Sequence, residues 1–123
     1  MKGRGLLPFL LVASIICAHA TELRDLKVLY VGNSQERAEA FTSFLSKHVK
    51  TVEKARRADF DPSAASSFDV VLLDWQQNEG TQRDFPPTKS PLGDRDKWSK
   101  PTVFLGSAGL HMAIVWKLKG GSG

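Results

Sequence analysis

An open α/β sheet of four mostly parallel strands is the fold class this sequence predicts, and three observations predict it. The runs Lys27–Val31, Val70–Leu73 and Thr102–Leu105 are apolar almost without interruption, as strands covered on both faces are. Each run stops at a small or polar turn: Gly32-Asn33-Ser34, Asp74-Trp75 and Gly106-Ser107-Ala108-Gly109. Helical periodicity follows the first and third of them, so the order of elements favours parallel pairing with crossovers.

The elements follow in order. Residues 1–20 read as a signal peptide. Lys2 and Arg4 give a basic start, Leu6–Ile16 an apolar core, and Ala18-His19-Ala20 an A-x-A cleavage site. Lipid attachment at Cys17 is the competing reading, disfavoured by the bulk of Ile16 before it. Residues 21–123 then form one domain. After the strand Lys27–Val31, Asn33 reads as an N-cap with Glu36 three residues on. Ala38, Phe41, Phe44, Leu45 and His48 fall at helical intervals, which predicts a helix from Gln35 to about His48. Val49–Ala55 mixes β-branched and charged residues, the pattern of an edge strand guarded by lysines. Asp61-Pro62 predicts an N-cap and a short turn through Ala65, after which Phe68-Asp69 leads into Val70–Leu73.

Residues 76–100 carry Pro86-Pro87 and Pro91-Leu92-Gly93 and show neither period. They stand where a crossover helix normally would. The sharper expectation is a lid over the sheet edge, pinned by Phe85, Leu92 and Trp98; the plainer one is a surface excursion. Thr102–Leu105 is the fourth strand, and Leu110–Leu118 a helix apolar on every side, expected to be buried from two directions. Gly120-Gly121 gives its C-cap. Doubly wound sheets usually have five or more strands, so this one is expected to be incomplete, trimmed or completed by another chain or by dimerisation.

The charge balance excludes some functions. The 123 residues carry 17 Lys and Arg against 13 Asp and Glu, net +4. Removing Lys2 and Arg4 leaves 15 against 13, net +2, which is no nucleic-acid-binding balance. Cleavage also removes the one cysteine, and with it any disulfide or thiolate chemistry. Export without disulfides suits a periplasmic or extracellular protein. The apolar core of the leader is too short for a comfortable membrane span, and none is expected in the mature form.

Open α/β sheets bind ligands outside the carboxyl ends of their strands. The candidate binding residues are therefore Gly32, Asn33, Ser34, Asp74, Gly106, Ser107 and Gly109, and the ligand a small molecule or a protein. Two of these are candidate catalytic groups. Ser107 sits on a strand-to-helix turn, where a nucleophile elbow would be, although helix capping explains it as well. His111, one turn later, and His48 are the histidines left after cleavage. Asp74 closes a strand, where a carboxylate accepts a phosphoryl group, binds a metal or acts as a base. One acid makes no metal site, and no cofactor is expected. The basic run Lys47, Lys50, Lys54, Arg56 and Arg57 is read as solvating the edge strand.

Lys27–Ser34, Phe68–Trp75 and Phe104–Leu110 together resemble the first half of class I glutamine amidotransferase-like domains, including the ThuA-like branch. The resemblance implies a flavodoxin-like sheet, with Ser107-Ala108-Gly109 aligned on the Cys-x-Gly of the family's elbow. Serine in place of cysteine and Leu105 in place of the leading glycine make glutaminase activity unexpected. The family's later His-x-Glu region would lie beyond Gly123. The stretches Lys27–Leu45 and Phe68–Trp75 also resemble response-regulator receiver domains. That resemblance aligns Asp74 with their phospho-accepting aspartate, while Gly32-Asn33 replaces their acidic pair.

Overall fold

The structure is a computed structural model describing residues 22–77 and 89–118. The leader and Cys17, the segment with Phe85 and Pro86-Pro87, and the Gly120-Gly121 cap lie outside the described residues.

Four strands form one sheet: β1 (Lys27–Val31), β2 (Thr51–Ala55), β3 (Val70–Trp75) and β4 (Thr102–Gly106). Their order is β2-β1-β3-β4 and every pairing is parallel. This is the predicted open α/β sheet, consistent with a flavodoxin-like fold. β1 and β3 are central and covered, as their apolar runs predict. β4, with a similar run, lies at the other edge and leaves Val103 and Phe104 exposed, because no described strand pairs with its outer side. β2 lies at an edge, as its exposed Glu53 and Lys54 require.

Helix α1 (Gln35–Leu45) covers one face. Its N-cap is Ser34 rather than Asn33: the Ser34 hydroxyl accepts from Arg37 N at 3.3 Å. Asn33 turns instead to the β2 side, where its Oδ1 accepts from Ala58 N at 3.0 Å. The helix ends three residues before His48, and Phe44 stays 61% exposed, outside the inner face formed by Ala38 and Phe41.

Helix α2 (Ala108–Val115) packs on the other face, with Ala108 and Met112 fully buried. The apolar core lies beneath it: Leu29, Val31, Val71 and Leu73 from the sheet, Ala65 and Phe68 from the β2–β3 connection, and Leu92. The predicted turn opens as expected at Asp61, whose carboxylate accepts from Ser63 N and Oγ; those two bonds hold it below the usual carboxylate range. Residues 89–98 are neither lid nor loose excursion. Leu92 is 1% exposed in the core, Trp98 Nε1 donates to Thr102 Oγ1 at 2.8 Å, and Trp116 Nε1 donates to Gly93 O at 2.9 Å. This segment fills the position of a crossover helix with a few anchors.

The expectation that the last helix is buried from two directions fails. Leu110, Ile114 and Leu118 are exposed, because α2 covers β3 and β4 on one side and no described element covers its outer side.

Candidate functional site

The carboxyl ends of β1, β3 and β4 lie together at one edge, as the parallel order demands. Register pairs Val31 with Leu73, Asp74 with Leu105, and Trp75 with Gly106. Gly32-Asn33-Ser34, Asp74 and Gly106-Ser107 therefore share one edge. Gly109 does not: it packs over β4, and a Cβ there would lie 3.7 Å from that of Phe104.

Asp74 is the centre of this edge. Its neighbours along β3 are Leu73 and Trp75, and the pleat turns its carboxylate to the α1 face beside Tyr30 of β1. The side chain is 2% exposed and fully engaged. Arg37, one turn into α1, grips it in a two-pronged ion pair, Nε to Oδ2 at 2.7 Å and Nη2 to Oδ1 at 2.8 Å. The Tyr30 hydroxyl donates to Oδ2. Tyr30 in turn stacks on Phe41 at 5.4 Å, and Arg37 lies over the same ring at 5.6 Å.

Burial alone would raise the Asp74 pKa. The hydrogen bonds from Arg37 and Tyr30, with the charges of Arg37 and Arg57, outweigh it and hold the carboxyl below its usual range. Burial first, and then the bond to Asp74, push the Tyr30 phenol up; the bond to Asp74 also raises Arg37. At neutral pH the group is thus carboxylate, guanidinium and neutral phenol.

Arg57 corrects the reading of the basic run. Lys47, Lys50, Lys54 and Arg56 are exposed, but Arg57 is buried. Its Nη1 donates to the carbonyl of Asp74 at 2.9 Å, and its guanidinium lies 3.8 Å from the Trp75 ring centroid. His111 stacks on the same indole at 4.0 Å.

Ser107 is the N-terminal boundary of α2, but its hydroxyl caps nothing. Oγ donates to Trp75 O at 3.1 Å, and Ser107 N donates to the same carbonyl at 2.8 Å. His111 Nδ1 meets the carbonyl of Ser107, not its hydroxyl, at 2.9 Å. The geometry is that of a tight turn. It depends on Gly106, which has φ +63 and where a Cβ would lie 2.2 Å from Trp75 O. Gly32 is needed for another reason: a Cβ there would come within 2.9 Å of the Tyr30 hydroxyl that reaches Asp74.

Sequence reasoning missed Arg37, Tyr30, Arg57 and Trp75. Parity along the strands was the available signal for Tyr30. In parallel register it shares a face with any side chain at position 72 or 74. Arg37 stands three residues after Ser34, beside Ala38 and Phe41, and so on the sheet side of α1. No local pattern marks Arg57, because only the path of the chain after β2 turns it inward.

Among the described residues no group of three or more His, Cys, Asp or Glu is placed to hold a metal ion, and no helix is long and apolar enough to cross a membrane. A cavity of about 540 Å³ opens at the C-terminal end of α2, lined in part by Ser90, Arg95 and Trp116, and it holds none of the sequence-predicted residues. No family model, curated protein or solved structure matches the chain.

Proposed function

We propose that this chain is an exported, non-catalytic α/β domain of the amidotransferase-like superfamily that binds a small anionic ligand at the carboxyl edge of its sheet. One observation carries the reading: the carboxylate that closes β3, Asp74, is already neutralised by Arg37. Arg37 pairs with that carboxylate, and Arg57 adds a second guanidinium nearby, on the backbone carbonyl of Asp74 and over the Trp75 ring. Arg37 uses only Nε and Nη2 on Asp74 and remains about a third exposed. It therefore keeps donors for a carboxylate or phosphate oxygen. The amino ends of α1 and α2 open on the same edge and add to the field there.

Catalysis is disfavoured by the same geometry. A serine nucleophile needs a base on its hydroxyl, and Ser107 Oγ gives its proton to a backbone carbonyl while His111 faces elsewhere. A phospho-accepting aspartate needs a reachable oxygen, and both oxygens of Asp74 are occupied.

Titration followed by amide resonances tests the reading. Phosphate and small carboxylates should shift Gly32–Ser34, Gly106 and Ser107, while neutral amides and sugars should not. Unmoved resonances with all four ligand types would overturn it.

A further inference from the structure

We infer that β4 is the contact edge of a symmetric dimer, in which two copies of the chain join their sheets through antiparallel β4 strands centred on Phe104. Two large apolar side chains of this strand are exposed, Val103 at 46% and Phe104 at 40%. Val103 and Phe104 point to opposite faces of the sheet, so the apolar surface wraps around the strand.

Charge selects the occupant. β4 carries no charged residue from Thr102 to Gly106, whereas the opposite edge presents Glu53 and Lys54, with Lys50 just before it. Joining β4 of one copy to β2 of another would set Glu53 and Lys54 beside an uncharged apolar strand, and would propagate as a filament. β4 against β4 matches uncharged with uncharged and closes. The exposed apolar surface of Val103 and Phe104 is on the order of 150 Å² per copy, about a fifth of what a standard interface removes from each partner. The paired backbones, Thr102 and Leu105 add to it, which suits a weak, concentration-dependent dimer.

The pleat then fixes direction and register. A two-fold axis along the strands would give a parallel pair but turn the second copy's side chains to the wrong face at every level. Only an axis perpendicular to the sheet, and so an antiparallel pair, keeps them in step. Within β4 the backbone groups alternate. Val71 N donates to Pro101 O at 2.9 Å, and Ser107 N donates to Trp75 O at 2.8 Å. Odd-numbered residues therefore face β3, and Thr102, Phe104 and Gly106 face the open edge. A pair that uses all three sets Phe104 opposite Phe104 of the second copy, Thr102 opposite Gly106, and Val103 opposite Leu105.

Cross-linking reads this register directly. In the full chain with Cys17→Ser, Phe104→Cys should oxidise to a disulfide dimer, because directly paired Cα atoms lie about 5.5 Å apart. Val103→Cys should not, because its own counterpart is displaced by two residues. Sedimentation velocity of the otherwise unaltered chain should show a concentration-dependent dimer. Val103→Glu, at an exposed site, should weaken association at least tenfold with an unchanged circular dichroism spectrum. Equal cross-linking by Val103→Cys, a single-copy mass at all concentrations, or a Val103→Glu chain that associates normally would each overturn the proposal. A chain that stays single but sediments with anionic lipid vesicles would overturn it in favour of a membrane surface.

Discussion

The two faces of the sheet are held by different physics. On the α2 face Leu29, Val31, Val71 and Leu73 pack against Ala65, Leu92 and Met112 with no polar side chain among them. On the α1 face the buried centre is ionic: Asp74, Arg37 and Tyr30 form a closed network under one helix. Apolar burial is non-directional and tolerates irregular cover, which is why residues 89–98 can do the work of a helix there. The ionic face depends on partners, because a carboxylate at 2% exposure is sustained only by the groups that satisfy it. The comparison teaches that strand-end acids in such sheets can be structural keystones rather than chemistry in waiting.

Substitutions break this comparison in order of expected effect. Leu73→Ala, at a fully buried site, should cost about 3 kcal/mol in chemical denaturation, through lost transfer energy and a cavity. Asp74→Ala should cost about 2 kcal/mol, because the Tyr30 hydroxyl loses its acceptor while Arg37 can partly rehydrate. Arg37→Ala in the same background should then cost less than it does alone, as expected of a coupled pair; additive losses would show that the network does not act as a unit.

The two substitutions should also differ in pH dependence. The Asp74 carboxyl lies below its ordinary range in the folded chain, so the unfolded chain takes up the proton first as pH falls. Its contribution is complete above about pH 5 and is lost toward acid. Tyr30 runs the other way: its raised pKa means stability is lost as pH rises through about 10, where the unfolded phenol ionises. Asp74→Asn should flatten the acid limb, and Leu73→Ala should leave its slope unchanged.

Gly106→Ala should cost about 1–2 kcal/mol by the same measurement, through its positive φ and the contact with Trp75 O. Ser107→Ala, the smallest change, should stay within about 1 kcal/mol, the worth of one neutral hydrogen bond. A fluorophosphonate probe should label neither this variant nor the parent chain. Selective labelling of Ser107 would return the site to hydrolase chemistry.

By itself the sequence determined the sheet. Continuous apolar runs that end in small turns fit parallel strands and the charged Val49–Ala55 run fits an edge, so the class and the convergence of Asn33, Asp74 and Ser107 were legible from local pattern. The place of Thr102–Leu105 at the other edge was not. Tertiary structure alone decided what those residues do. Whether Asp74 is free or locked depends on Arg37 and Arg57, each 17 or more positions away. Whether Ser107 is a nucleophile depends on where the Trp75 carbonyl falls. Periodicity reports which face a residue takes; it does not report which partner waits there, because side-chain pairing is set by distances between elements that no local window contains.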